Sequence, residues 1–311
     1  MTDEPPLAFI VQPDEGNVRL ASFLRVRLPG VSSGAIKKVI EAGQVWVDSR
    51  PGRKGQRLRV GQRVLAATAP DERPLPSPEM PLEVIDVTPA VVVVNKPPGV
   101  PTHPLLPAEQ GTLANALVAR YPECIEASEL PREGGLVHRL DTSTSGVLLA
   151  ARSRRAFQHL RGLFRAGQVD KRYLALVSGA VEKTLVIERA IKSDGQDRRR
   201  VEVSYRDDVG LPSRSVVHPL ARLGAWTLVH VDCHTGRRHQ VRLHLASQGH
   251  PLAGDVLYGG EAMMGLEGAL LHAAELSVEG RTFVAALPEP WRQLLAKLGW
   301  SQEDAGDGME D

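Results

Sequence analysis

Residues 134–150 of this 311-residue chain have the sequence GGLVHRLDTSTSGVLLA. An apolar, strand-like stretch ends at the carboxylate of Asp141, a small polar loop follows, and a second apolar strand begins after Gly146. His138, Arg139 and Asp141 therefore crowd at a strand end, where rigid elements hold the loops that carry chemistry. If the strand persists to its end, Arg139 and Asp141 share one side of it. A loop-capping role for Asp141 is the alternative at this point.

Short β-branched runs alternate irregularly with helical stretches on both sides of this segment. The pattern predicts an α+β domain over residues 82–300, in which helices flank a mostly antiparallel β-sheet. It lacks the regular strand–helix alternation of a doubly wound fold. The predicted strands include residues 84–87, 91–94, 147–150, 173–177 and 226–231.

A small basic unit precedes this domain. Residues 17–67 contain eleven Lys or Arg residues against two acidic residues, a net charge of +9, although the whole chain has a net charge of only +1. Such a unit beside a near-neutral body is typical of a polyanion-binding surface, and a solvated basic face without a partner is the alternative. The predicted elements are two helices and a small hairpin: residues 19–24, a helix capped by Ser32 or Ser33, and strands at residues 45–48 and around Leu58, Val60 and Val64, with a turn at Pro51-Gly52.

Three segments are expected to lie outside the two folded units. Residues 1–16 and 301–311 are acidic and are predicted to be disordered tails. Residues 68–81 contain five prolines and are predicted to form a semi-rigid, extended linker.

The composition excludes several classes of protein. No apolar run approaches the roughly 18 residues of a membrane-spanning helix, and the N-terminus lacks the charged-then-apolar order of a signal peptide. A cytoplasmic protein without membrane contact is therefore expected. Two cysteines, Cys124 and Cys233, cannot build a disulfide framework or a CxxC metal knuckle. The aromatic content of 4% argues against an extended surface of aromatic side chains on which bases could stack.

Several motifs in a fixed order give the chain a family resemblance. Two motifs resemble the signature of the RluA family of RNA pseudouridine synthases: the sequence GLVHRLD at residues 135–141 and the sequence TSG at residues 144–146. Residues 17–67 are similar to the RNA-binding domain shared with ribosomal protein S-four, which a subset of that family carries. Further matches in family order are Asn95 to Gly99 with Pro101 and His103-Pro104, Lys171 to Ala175, Thr235 to Leu245, Gly254-Asp255 with Tyr258-Gly259, and Leu271-His272-Ala273.

The resemblance implies an isomerase that detaches uracil from its ribose, turns the base and rejoins it through carbon 5, with no metal and no cofactor. It also implies that Asp141 is the catalytic residue, Arg242 its cationic partner and Tyr173 the residue that packs against uracil. A carboxylate in a water-excluded pocket needs a nearby cation to stay ionised, and a planar guanidinium suits that role. The residues themselves predict that Thr235 caps a helix in which Arg238 and Arg242 lie one turn apart.

RNA is the implied partner, with large-subunit ribosomal RNA as the first expectation and transfer RNA as the second. The target nucleotide is expected to flip into the pocket, because a stacked uracil cannot reach the carboxylate. The chain is expected to act as a monomer. The candidate RNA-binding residues are Arg139, Lys37, Lys38, Arg53, Lys54, Arg238 and His239.

Two other classes of function stay open. The same basic unit would suit a non-catalytic RNA-binding or ribosome-assembly factor, although the presence of Asp141, Tyr173 and Arg242 favours an enzyme. A metal-dependent RNA hydrolase is the weaker alternative. Histidines and a cysteine between residues 230 and 244 are potential metal ligands, but their spacing matches no usual zinc pattern.

Overall fold

The computed structural model describes residues 6–67, 71–197, 199–206, 209–263 and 265–300. Its N-terminal part is a small unit of two helices and a four-stranded sheet with one shared core. The elements are β1 (Leu7–Ile10), α1 (Leu20–Arg27), α2 (Ser33–Glu41), β2 (Val45–Val47), β3 (Arg50–Pro51) and β4 (Arg63–Ala66). The strands lie in the order β1-β4-β2-β3, and each neighbouring pair is antiparallel.

Helix α2 shows how the sequence sets these bounds. The Ser32 hydroxyl accepts a hydrogen bond from the Ala35 amide at 3.2 Å and caps the first turn. Gly43 follows the helix with a φ of +71°, a conformation that costs glycine little. Ile36 and Ile40, one turn apart, are buried in the core of the unit.

The prediction of a disordered N-terminal tail is wrong for residues 6–16, while residues 1–5 lie outside the described part of the chain. Strand β1 pairs antiparallel with β4, and Val11 behind it is buried. Glu15 forms an ion pair with Arg27 at 2.8 Å. The prediction rested on the negative charge of the whole segment, and it overlooked the apolar residues 7–11, which can form a strand.

The hairpin of this unit also differs from the prediction. Its turn lies at Asp48 and Ser49, whose φ values are +49° and +70°, and Pro51 belongs to β3. The short polar side chain of Asp tolerates this left-handed conformation better than most residues do. Leu58 and Val60 lie outside the strands, and Val60 is exposed.

The proline-rich segment does not run free between the two units in its described part, residues 71–81. Glu72 accepts a hydrogen bond from the Ser32 hydroxyl at 2.7 Å, and its own amide donates to the Gly30 carbonyl at 2.7 Å. Arg73 pairs with Glu126 of the larger domain at 2.8 Å. Polar contacts therefore hold the described part of the predicted linker against both units.

The larger domain contains one nine-stranded sheet, a separate two-stranded sheet and four helices in the described residues. Its elements are β5 (Glu83–Val87), β6 (Val91–Lys96), α3 (Leu113–Arg120), β7 (Ser145–Ala151), α4 (Arg154–Ala166), β8 (Val169–Ser178), β9 (Leu185–Glu188), β10 (Ile191–Ser193), β11 (Val201–Val203), β12 (Arg214–Leu223), β13 (Trp226–Cys233), α5 (Gln240–Ser247), β14 (Leu271–Val278), β15 (Arg281–Val284) and α6 (Glu289–Lys297).

The large sheet has the strand order β5-β6-β7-β14-β8-β13-β12-β9, with β15 paired to β14. Its neighbouring strands are antiparallel except β7 and β14, which are parallel. The predicted α+β class is confirmed, and all five predicted strands form, each within a slightly longer observed strand. Strand β7 is buried along its whole length, which matches its unbroken apolar and small-residue sequence.

Two local predictions near the proposed site are wrong. Residues 137–141 are not a strand: the Val137 amide bonds to the Leu149 carbonyl at 3.0 Å, and the chain then leaves the sheet as an irregular loop. Helix α5 begins at Gln240, and Thr235 does not cap it, because the Thr235 hydroxyl donates to Gln240 Oε1 at 2.7 Å. Arg238 therefore lies before the helix.

Residues 301–311, predicted to be an acidic tail, lie outside the described residues. Within the part of the chain that is described, no helix is both long enough and apolar enough to cross a membrane.

Candidate active site

The loop that carries Asp141 is fixed by the residues around it. It enters β7, where Gly146 has a φ of +118° and lies so close to the Ala273 carbonyl of β14 that a Cβ would not fit. The Asp141 carbonyl accepts a hydrogen bond from the Thr144 amide at 3.1 Å, which closes a tight turn. The Thr142 carbonyl accepts one from Gly99 at 2.9 Å. Asp141 is thus presented by an ordered loop rather than by a strand end.

Lys96 lies beneath this loop and is completely buried. Its ammonium donates to the carbonyls of Pro97, Val100 and Thr142 at 2.8, 2.7 and 3.0 Å. Burial lowers the pKa of Lys96 to about 7, and the negative charge of Asp141 opposes this shift. Three acceptors match the three N–H donors of the ammonium, so Lys96 ties the Asp141 loop to the loop that follows β6.

Arg242 of α5 is buried and lies between two carboxylates. Its Nε and Nη2 donate to Asp255 at 2.7 and 2.6 Å, and its Nη1 lies 3.4 Å from Asp141 Oδ2. Burial alone would lower the pKa of Arg242, but its hydrogen bonds and charge interactions with Asp255 and Asp141 raise it above the usual value. The guanidinium therefore stays charged and places a positive group against Asp141.

His239, directly before α5, is the second side chain facing Asp141. Its backbone φ is +54°, and its Nε2 lies 3.8 Å from Asp141 Oδ1. Its Nδ1 is 2.8 Å from the Tyr258 hydroxyl, which accepts a hydrogen bond from the Val201 amide at 3.0 Å. When the Tyr258 hydroxyl donates to Nδ1, the neutral ring carries its hydrogen on Nε2, the nitrogen nearer to Asp141. Burial lowers the pKa of His239, and this favours the neutral ring.

Tyr173 lies on β8, between β13 and β14, and packs against the buried apolar residues of two clusters. Burial raises the pKa of its hydroxyl, so the side chain is neutral at all ordinary pH values. The ring lines the same cleft as Asp141.

The cleft is open to solvent, and the space within it, part of which is continuous with bulk solvent, amounts to about 390 Å³. The structure brings together five of the predicted site residues on its walls: Arg139, Asp141, Tyr173, His239 and Arg242. Arg238 lies outside the lining, and its guanidinium donates to the Arg200 carbonyl at 2.8 Å. Lys37, Lys38, Arg53 and Lys54 are exposed on the N-terminal unit and do not line the cleft.

Sequence reasoning assigned no role to three residues that build this site: Lys96, Asp255 and Tyr258. Each lies in one of the motifs that resemble the family, so the sequence pointed to its position but not to the residues that it contacts. Cys233 also lines the cleft, but burial raises the pKa of its thiol to about 11, which keeps it protonated at neutral pH. In the described residues, no group of three or more His, Cys, Asp or Glu side chains is arranged to hold a metal ion.

Comparison with known proteins agrees with this arrangement. The sequence model of a family described as RNA pseudouridylate synthase matches residues 90–247, which include Asp141, Tyr173 and Arg242. An uncharacterized RNA pseudouridine synthase of Chloroflexus aurantiacus is 36% identical to the chain over 305 residues, 93% of this chain and 92% of that protein. The chain belongs to the RNA pseudouridylate synthase family.

Other members of the RNA pseudouridylate synthase family match in sequence or in fold. A ribosomal large subunit pseudouridine synthase D of Nitrosomonas europaea is 33% identical over 286 residues, 89% of this chain and 81% of that one. The solved structure of human RNA pseudouridylate synthase domain containing 4 shares the fold with a TM-score of 0.56, at 24% identity, over 70% of this chain and 93% of that chain. The expectation of an RNA-modifying isomerase is therefore confirmed at the level of the family.

Proposed function

We propose that this synthase converts uridine to pseudouridine in large-subunit ribosomal RNA and that Asp141 is its catalytic carboxylate. One observation carries the assignment: in the cleft, Asp141 is the acidic side chain 3.4 Å from a buried, charged Arg242 that is itself fixed by Asp255. The relatives of Nitrosomonas europaea, Neisseria meningitidis and Xylella fastidiosa that are named ribosomal large subunit pseudouridine synthase D support the choice of RNA.

The reaction breaks the bond between N1 of uracil and C1′ of ribose and forms a bond between C5 and C1′. The proton leaves C5, and N1 gains one, so nothing is oxidised or reduced. An ionised carboxylate can attack the sugar or the base, or stabilise positive charge on the sugar while the base turns. Arg242 places a positive charge 3.4 Å from Asp141, and the same carboxylate can take up the C5 proton.

Tyr173 supplies the surface against which the base packs. Its ring has an apolar face, and its neutral hydroxyl can form a hydrogen bond to a uracil edge. A stacked uridine cannot enter the cleft, so the nucleotide flips out of the RNA at an unstacking cost of a few kcal/mol. Arg139 is exposed at the cleft wall, where it can pair with a phosphate beside the flipped nucleotide.

The N-terminal unit supplies affinity rather than chemistry. Lys37, Lys38, Arg53 and Lys54 are all exposed on it, and such side chains contact phosphates without reading sequence. In this respect the unit would act as the S-four-like domain that its sequence resembles. His239, which lines the cleft with Arg139, and Arg238, which lies outside the lining, would complete the RNA contacts.

The test uses the purified full chain with transcribed large-subunit ribosomal RNA and, separately, transfer RNA, with pseudouridines mapped at single-nucleotide resolution. We expect pseudouridine at discrete positions in the ribosomal RNA. Asp141→Asn should abolish it while leaving the melting temperature and RNA affinity unchanged, and the exposed Asp170→Asn should remain active as the matched control. Activity of Asp141→Asn close to wild type would reject Asp141 as the catalyst. Modification of transfer RNA alone would reject the proposed substrate.

A further inference from the structure

The loop between β6 and α3 presents two adjacent leucines to solvent. Leu105 is 65% exposed and Leu106 is 69% exposed, in the sequence His103-Pro104-Leu105-Leu106-Pro107. Single exposed leucines are common and need no explanation, but two neighbours on one loop tip form a small apolar patch. Neither residue belongs to any of the hydrophobic clusters of the described structure. Their apolar surface is thus unused in the folded chain.

The tip that carries these leucines is held in a defined shape. The amides of Leu105 and Leu106 both donate to Glu109 Oε2, at 2.7 and 2.9 Å, and the Glu109 amide returns a bond to the Leu106 carbonyl at 3.3 Å. These backbone bonds lower the pKa of Glu109, so the carboxylate holds the turn at neutral pH. The leucines are therefore held on an ordered turn, and the side chain that stabilises this turn, Glu109, belongs to the turn itself.

The base of the same loop is bonded directly to the catalytic loop. The buried Thr102 hydroxyl donates to the Leu140 carbonyl at 2.7 Å and accepts from the Leu140 amide at 3.2 Å. Leu140 immediately precedes Asp141. Because three residues of chain span at most about 11 Å, the Cα of Leu105 lies within that distance of the Thr102 Cα. The leucine tip is consequently a fixed neighbour of the Asp141 loop.

The surroundings of the tip favour RNA as its contact. His103, two residues before Leu105, lies within electrostatic range of Arg139, which is exposed on the cleft wall. Burial, with added repulsion from the nearby arginines, lowers the pKa of His103 to about 4, so it is uncharged at neutral pH. The apolar tip thus follows, two residues along the chain, a side chain that interacts with the Arg139 guanidinium, and apolar and cationic groups near each other suit the base faces and phosphates of a nucleic acid strand.

We propose that Leu105 and Leu106 form an apolar wedge that enters the RNA beside the target uridine and packs against the neighbouring base as the uridine leaves its stack. This inference rests on the proposed function and adds a step to it. A flipped nucleotide leaves a base face exposed to water, and an apolar side chain that covers this face offsets part of the unstacking cost. Apolar side chains inserted between base steps play this part in proteins that kink nucleic acids.

If the leucines act as a wedge, their contribution to the rate depends on how the RNA is folded. A direct role in the chemical step would not produce this dependence. The variant Leu105→Ser/Leu106→Ser should lower kcat/KM about tenfold on a folded ribosomal RNA fragment, the effect of about 1.4 kcal/mol of lost transition-state stabilisation. The same variant should match wild type on a short unstructured RNA with the same target uridine. Leu105→Met/Leu106→Met keeps the apolar surface and should restore the rate. Val186→Ser/Val284→Ser, which removes two other exposed apolar side chains, is the control.

A 2-aminopurine placed next to the target uridine provides a readout of the base step itself. Its fluorescence should rise on binding of wild type and rise less with the serine variant. Equal kcat/KM values on the folded RNA for wild type and the serine variant would overturn the wedge. Equal losses on folded and unstructured RNA would overturn it too and assign the leucines to support of the Asp141 loop. A change in the oligomeric state of the variant by sedimentation would assign them to a protein contact. Failure of wild type on every RNA would instead refute the proposed function.

Discussion

Arg242 makes its two shortest ion-pair contacts with Asp255: Nε and Nη2 reach the two oxygens at 2.7 and 2.6 Å, while the contact with Asp141 is 3.4 Å long. Asp255 is buried, so this bidentate pair fixes the plane of the guanidinium from behind. One edge of the guanidinium, Nη1, is left for Asp141. The charge that faces Asp141, the proposed catalytic carboxylate, is thus positioned by a second carboxylate that does not line the cleft.

The first prediction concerns Asp255→Asn. The amide cannot form the bidentate ion pair, and breaking a buried pair by changing one partner costs about 3–5 kcal/mol. We expect a lower melting temperature and, well below that temperature, a kcat about 10–100-fold lower at similar KM, because Nη1 loses its fixed distance to Asp141. The measurements are thermal unfolding and steady-state kinetics.

Asp86→Asn is the matched control for this change. Asp86 pairs with Arg281 at 2.7 Å, but the pair lies on the surface, where its loss should cost no more than about 1 kcal/mol. A normal kcat for Asp255→Asn below its melting temperature would show that Asp255 serves stability alone.

The second prediction concerns the basic surface of the N-terminal unit. Replacement of Lys37, Lys38, Arg53 and Lys54 by glutamine should weaken binding to every RNA and flatten the salt dependence of the affinity. The slope of log K against log salt falls by about 0.7–0.9 for each phosphate that is no longer neutralised by a cationic side chain, so removal of all four cations should change it by about three units. Binding titrations from low to high salt measure this slope, and Lys183→Gln/Lys297→Gln, on the other domain, is the control. An unchanged slope would remove the phosphate-binding role from this surface.

Substitutions suit this test better than deletion of residues 1–67. Glu72, which follows the unit, accepts the hydroxyl of Ser32 and donates to Gly30, so a deletion would also strip the proline-rich segment of its partners. A loss of activity after deletion would then have two causes.

The apolar runs of the sequence predicted the α+β class and the main strands, and the family resemblance implied that Asp141, Tyr173 and Arg242 share one site. The sequence could not predict where α5 begins. Thr235 has the chemistry of a helix cap, but its hydroxyl donates to Gln240, and only the folded loop reveals that choice. The contact between Arg242 and Asp255 is equally invisible, because a carboxylate thirteen residues away could face any direction until the loop after α5 is built.

The third prediction concerns Tyr173→Leu. Leucine keeps an apolar side chain on β8 but lacks the flat ring, and stacking of a base on an aromatic ring is worth about 1–3 kcal/mol. We expect kcat/KM to fall by at least about fivefold with RNA affinity nearly unchanged, because the basic surface still binds phosphates. Tyr205→Leu, a change at a tyrosine that is 81% exposed, is the control. Wild-type kinetics for Tyr173→Leu would show that the ring does not touch the base.

The last prediction concerns Lys96 and pH. Its pKa is about 7 in the folded chain against 10.5 for a free lysine, so the unfolded chain binds more protons between these values. The free energy of unfolding should therefore rise with pH from about 7 to about 10.5 by up to about 1.4 kcal/mol per unit, and below about pH 7 the full penalty of a buried charge is present. Lys96→Met lacks this titration, although it also loses three hydrogen bonds to carbonyls and is less stable throughout.

The difference in unfolding free energy, wild type minus Lys96→Met, measured by denaturant titration at pH 6, 7, 8 and 9, should increase above pH 7. A constant difference would mean that the three carbonyl acceptors and Asp141 keep the ammonium charged, with its pKa near that of a free lysine.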